Sequence, residues 1–226
     1  RAIYKNTTID PPGTVKHALD MGAQMIRPKK TFAQLIAEHG IPSRKVRFCC
    51  SHLKEYKILD YAVLGIRREE SIKRKERYKE PEICKVYKKN EKQRQYLPII
   101  DWTIDDVEEF IMERNIKCAP VYYDKDGNFH PEMRLGCMCC PLASHKNRLR
   151  DFQIYPNMVK IYTRNYRKWM DRHLSNNSNK KYQNEYDAFV AKLFFETYND
   201  FINATDGLFG KIDCKTFLED YFKIKF

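Results

Sequence analysis

The chain has 226 residues, 42% hydrophobic and 32% charged, which is enough for one sizeable core or one large and one small domain and excludes a disordered tail or a collagen-like fibre. Lys and Arg number 42 against 30 Asp and Glu, a net charge of +12 that favours anionic partners such as nucleotides, nucleic acid or sulfated compounds. No run approaches the roughly 18 apolar residues of a membrane span, and the opening Arg1, Ala2, Ile3, Tyr4, Lys5 lacks the apolar core of a signal peptide, so a soluble, cytoplasmic protein is expected.

Thr31 and Gln34 form a capping box ahead of Leu35 and Ile36, and Gly40 with Pro42 stops the helix that it starts. Tyr61 to Ile66 is a compact apolar run, as expected of a buried parallel strand, and Tyr96 to Ile100 is a second candidate. Between them, residues 67–94 carry 12 Lys and Arg against 6 Glu and read mostly as a solvated loop or helix face. Their leading residues Arg67, Arg68, Ser71 and Arg74 stand apart. They follow the carboxyl end of the first strand, where open α/β sheets bind ligands, so an anion site is expected there.

Thr103 caps a further helix, with Asp105 and Asp106 in its first turn and Val107, Phe110 and Ile111 as its buried stripe. Pro156 opens a long helix through His173, an Asn-rich linker covers 175–179, and another helix runs from about Lys181 to Ile202. Strands alternating with helices predict an α/β domain with a parallel sheet over residues 1–150, followed by a helical extension over 151–226.

Eight cysteines are too few for a disulfide scaffold, and five of them fall in two clusters, Cys49 with Cys50 and Cys137 with Cys139 and Cys140. Adjacent cysteines face one metal poorly from a strand but well from a turn entering a helix, which is how Arg47 to Lys54 reads. The helix N-terminus with Arg47, His52 or Lys54 would favour thiolates there. Two cysteines from each cluster make a four-thiolate set that suits a tetrahedral zinc or a cubane iron–sulfur centre, and the spacing leaves both open. Cys139 is expected to point away, and Cys84, Cys118 and Cys214 to pack.

Four motifs occur in order: Arg47, Phe48, Cys49, Cys50, Leu53 and Lys54; the loop from Gly65 to Arg74; Pro98 to Val107 around Asp101, Trp102 and Thr103; and Arg134, Gly136, Cys137, Cys140 and Pro141. Together they resemble the phosphoadenosine phosphosulfate (PAPS) reductase family over roughly residues 4–160, most closely the branch that includes adenylyl-sulfate reductases. The resemblance implies an adenine-nucleotide alpha-hydrolase-like domain with a [4Fe-4S] cluster on Cys49, Cys50, Cys137 and Cys140. It also implies a sulfonucleotide or phosphate pocket lined by Arg67, Arg68, Ser71 and Arg74. Asp101 and Trp102 match a signature best explained as structural, and Thr7, Thr8 and Asp10 resemble the turn after the family's second strand.

Two departures shape the expectation. The family's Ser-Gly-Gly-x-Asp-Ser phosphate loop is absent from the sequence, which implies a domain lacking its first strand, and the reductases' Glu-Cys-Gly-x-His tail has no counterpart around Cys214. The expected function is to handle an adenine nucleotide or sulfonucleotide in sulfur metabolism, either by reduction with a thiol reductant or by ATP-dependent sulfur transfer from a sulfur donor to a nucleic acid or metabolite. No catalytic residue is assigned. The alternative is a non-catalytic nucleic-acid-binding module with a structural zinc or iron–sulfur centre, supported by the charge and by 15 tyrosines that suit base stacking.

Overall fold

The computed structural model describes residues 1–43, 45–56, 59–88, 91–133, 135–173, 181–207 and 210–226. Its elements in chain order are β1 (Ile3–Lys5), α1 (Thr14–Asp20), β2 (Gln24–Ile26), α2 (Phe32–His39), α3 (Phe48–Leu53), β3 (Tyr61–Val63), α4 (Ile72–Arg77), β4 (Glu82–Lys88) and β5 (Glu91–Tyr96). They continue with α5 (Ile104–Glu113), α6 (His145–Ile154), α7 (Asn157–His173), α8 (Glu185–Phe194), α9 (Tyr198–Thr205), β6 (Asp206–Gly207), β7 (Gly210–Lys211) and α10 (Cys214–Phe222). The chain forms two compact units, each assembled from separated stretches: 1–2, 12–24 and 55–135 in the first, and 3–11, 25–54 and 136–226 in the second.

The first unit contains a three-stranded sheet in the order β3-β5-β4, with β3 parallel to β5 and β4 antiparallel to it. The expected parallel strand is there, but it is not buried: Tyr61 is 70% and Val63 72% exposed. These two share a sheet face with their register partners Arg94 and Tyr96, and that face is open, whereas Gln93 and Gln95 on the other are buried. The second candidate strand is corrected. Pairing stops at Tyr96, because Pro98 has no N–H for the ladder, and a turn then sends Leu97 and Ile100 into a small core with Tyr78.

The basic stretch, read as loop or helix face, holds the exposed helix α4 as expected, but also the β4–β5 hairpin. Gln95 Nε2 donates to Gln93 Oε1 at 2.8 Å and Gln93 Nε2 donates to the Leu59 carbonyl at 2.9 Å, so buried amides share the inner face with Ile83. Cys84, expected to pack, is exposed on β4. Helix α5 begins as expected, with Thr103 N donating to Asp106 Oδ2 at 2.7 Å and Asp106 N to Thr103 Oγ1 at 3.1 Å. Its stripe is shallower than expected, since Val107 and Ile111 are half-buried and Phe110 is exposed apart from an edge contact with Trp102 at 5.4 Å.

The second unit is mostly helical. Thr31 and Gln34 close their capping box on α2, and α2 and α8 pack against α7, which buries Met158, Val159, Tyr162, Thr163, Tyr166 and Met170. Phe32, Phe152, Tyr162 and Phe189 meet edge to face at centroid distances of 5.1–5.9 Å, the favoured aromatic geometry. Gly40 ends α2 at φ 79° with the Trp169 ring 3.4 Å from where a Cβ would stand, so both backbone and space call for glycine. The linker 175–179 lies outside the described residues. The single helix expected from Lys181 to Ile202 is two, because Phe195 is extended and Thr197 caps α9 through Asp200 N at 3.2 Å. Among the described residues, no helix is long and apolar enough to cross a membrane.

Candidate functional site

Helix α3 is a single short turn that starts at Phe48, so Cys49 and Cys50 sit in its first turn as the sequence suggested. Cys137 and Cys140 come from the irregular segment before α6, which is tied down where Met138 N donates to the Ile9 carbonyl at 2.8 Å and Ala143 N to the Cys140 carbonyl at 3.0 Å. All four cysteines line one small cavity with Ile9, Phe32, Leu53, Lys54 and Pro141. Cys139 does not. It is fully buried in the left-handed region at φ 51°, and its carbonyl accepts from the Tyr162 hydroxyl at 2.7 Å.

The electrostatics of this cavity favour a thiolate at Cys50, whereas burial pushes the Cys140 thiol up. Arg47 Nη2 lies 3.7 Å from Cys50 Sγ, and the hydrogen bond from Cys49 together with Arg47 draws the Cys50 thiol down to about 5. Cys49, whose proton serves that bond and which is itself buried, is pushed up. Burial works against the Lys54 ammonium, yet Cys137, Cys50 and Cys140 together raise it above its ordinary value, so it stays charged beside the sulfurs. The donor chemistry thus fits a thiolate-bound centre. Among the described residues, no group of three His, Cys, Asp or Glu side chains is placed to hold a single metal ion.

In the first unit, the loop that leaves β3 places its arginines very differently. Arg68 is fully engaged: Nε donates to the Tyr78 carbonyl at 2.7 Å, and the remaining guanidinium nitrogens reach the Lys79 carbonyl and Asp101. Arg67 pairs with Glu69 at 2.6 Å and reaches the Trp102 carbonyl at 3.4 Å, and Arg74 pairs with Glu70. Ser71 caps α4, its Oγ accepting from Arg74 N at 3.3 Å. Asp101 and Trp102 act as anchors for two of the arginines, a structural use. Arg134 of the fourth motif lies outside the described residues.

Around the cysteines, the turn of Thr7, Thr8 and Asp10 to which the resemblance pointed is held by its own hydrogen bonds. The Thr7 amide and hydroxyl donate to the two Asp10 carboxylate oxygens at 2.8 and 2.7 Å, and Thr8, at φ 63°, accepts from Phe32 N at 2.8 Å. This turn carries Ile9 to the cavity wall. Lys5 Nζ donates to the Lys54 carbonyl at 2.9 Å, closing α3 against β1. A side chain that bonds a distant carbonyl leaves no motif.

The model of the phosphoadenosine phosphosulfate reductase domain matches residues 5–143 of this chain, taking in all four cysteines and the arginine loop. The chain belongs to this family. Two relatives are similar over parts of their length: an uncharacterised protein of Methanocaldococcus jannaschii, 30% identical over 151 residues, and the adenosine 5'-phosphosulfate reductase of Oceanobacillus iheyensis, 29% identical over 131. The matched stretches are 63% and 50% of this chain but 32% and 46% of those proteins, so the chain spans less than half the length of either relative. The mixed α/β sheet with helices and the helical C-terminal part agree with the PAPS reductase domain, and an adenine sulfonucleotide is the substrate class that the family name carries.

Proposed function

We propose that this chain handles an adenine sulfonucleotide in sulfur metabolism, with a [4Fe-4S] cluster held by Cys49, Cys50, Cys137 and Cys140. The observation that carries the reading is the gathering of these four thiols, from two segments far apart in sequence, on one cavity beside Arg47 and Lys54. A zinc ion with Zn–S bonds near 2.3 Å requires sulfurs about 3.8 Å apart around a single point. A cubane binds each thiolate through a different iron around a larger centre, and the family resemblance favours this cluster over zinc. When bound, the cluster supplies iron whose charge and redox state the surrounding cations tune.

In this reading Arg67 and Arg74 take the substrate's oxyanions, each exchanging its present carboxylate partner for the ligand, while Arg68 and Ser71 hold the loop in shape. An α/β module of 1–150 with a helical extension of 151–226 remains our reading of the division by function. Protein purified without oxygen should be brown and carry about four iron and four sulfide per chain, as this cluster type demands. Stoichiometric zinc without acid-labile sulfide would refute the cluster.

One observation favours a second reading, ATP-dependent sulfur transfer to a nucleic acid or metabolite. Cys214 opens α10 at 1% exposure, with Asp213 beside it as the cap, and such a thiol is poorly placed to attack sulfur. Sulfite released from adenylyl sulfate with a thiol reductant, and abolished by Cys214→Ser, would support reduction by this chain alone. Sulfur transfer that needs ATP, in a protein that releases no sulfite, would support the second reading.

A further inference from the structure

The second unit holds another cavity, of about 290 Å³, near the lower end of the roughly 300–1,000 Å³ of ligand pockets. Its floor is apolar and aromatic, built from Phe152, Tyr162 and Phe189, and its rim carries Tyr182 and Tyr198. Three cations reach it. Arg148 Nη1 and Nη2 donate to the Pro141 and Leu193 carbonyls at 3.3 and 3.5 Å, which fixes the guanidinium in the wall. Lys181 Nζ sits 4.8 Å from the Tyr198 ring centre and 5.8 Å from that of Tyr182, and Lys192 Nζ sits 5.7 Å from that of Tyr166.

Glu196 is the one carboxylate among the described lining residues, and neither Lys181 nor Lys192 forms an ion pair among them. Burial first, and then the charge of Lys181, push the Lys192 ammonium below its ordinary value. Two like charges with no carboxylate partner among the described residues repel each other at this pocket, and an anion between them relieves that repulsion. We propose that this pocket binds a small ring-bearing phosphate of the nucleoside monophosphate class, with its ring against the tyrosines and its phosphate between Lys181, Lys192 and Arg148. The proposal rests on this cavity alone and does not depend on the cluster or on the arginine loop.

The test is calorimetric titration with AMP of the 226-residue protein carrying Arg67→Ala and Arg74→Ala, so that the loop contributes nothing. One site per chain with a Kd below about 1 mM is expected. Adding Lys181→Gln and Lys192→Gln should weaken it at least about tenfold, and adenosine or inorganic phosphate alone should each bind at least about tenfold more weakly than AMP, since each engages one half of the pocket. Lys181→Glu, at an exposed position that does not threaten folding, should weaken it similarly. No binding of AMP, unchanged affinity in the Lys181 variants, or phosphate alone binding as tightly as AMP would overturn the proposal.

Discussion

The Tyr162 hydroxyl donates to the Cys139 carbonyl at 2.7 Å, and both residues are buried. One helix of the core thereby holds the backbone between Cys137 and Cys140. Tyr162→Phe leaves that carbonyl without its donor and should cost about 1–3 kcal/mol of stability, read from urea unfolding. Unchanged stability would show that the bond does not hold the segment.

Cys139 and Cys140 are neighbours with opposite surroundings. Cys140→Ser should strip most of the iron and sulfide, whereas Cys139→Ser should leave the metal content nearly unchanged and lower the unfolding midpoint, because a hydroxyl replaces a fully buried thiol. Equal metal loss in both variants would reject this division of labour.

Arg67 and Arg68 should part company in the same way. Arg67→Ala is expected to weaken binding of adenylyl sulfate by about 1.5–3 kcal/mol, the loss of a charge-assisted hydrogen bond, with little change in stability. Arg68→Ala strands the Tyr78 and Lys79 carbonyls and Asp101, so its main effect should be a lower melting temperature. Calorimetry together with thermal melts separates the two, and a stable Arg68 variant would contradict the structural role.

The turn at 124–132 predicts a pH dependence. Hydrogen bonds from Asn128 and then His130 hold the Asp124 carboxyl well below its ordinary range, and hydrogen bonds to Asp124 and then Glu132 raise His130 above its ordinary 6.5. Because the folded value of His130 lies above the unfolded one, its stabilisation is complete below about 6.5 and is lost as pH rises through the raised value. NMR titration should therefore place the His130 midpoint above 6.5, and Asp124→Asn should bring it down. An unmoved midpoint in that variant would dismiss the pairing.

What the sequence made legible was local. The capping boxes of α2 and α5 and the turn into α3 depend on residues three apart, and the two cysteine clusters announce themselves by spacing. The β4–β5 hairpin escaped because its inner face sets Gln93 and Gln95 beside Ile83, and its outer face mixes Cys84, Val86 and Tyr96 with charges, so no apolar alternation marks it. The break between α8 and α9 escaped because apolar residues continue through Phe194 and Phe195 into the next helix, although the Thr197 and Asp200 cap was visible. Likewise the role of Arg68 depends on the carbonyls of Tyr78 and Lys79, which any residue there would have supplied.

The interleaving of the two units sets an order of assembly. The last residue of the first unit is Leu135, whereas the second unit still lacks everything from Gly136 onward at that point of synthesis. Cys49 and Cys50 therefore leave the ribosome long before Cys137 and Cys140, and the intervening chain has its own unit to fold into meanwhile. Closing a loop of that length costs little more than closing one half as long, about 0.6 kcal/mol per doubling. Folding the intervening stretch first shortens the effective loop further, so the early cysteines wait for their partners as unpaired thiols during translation.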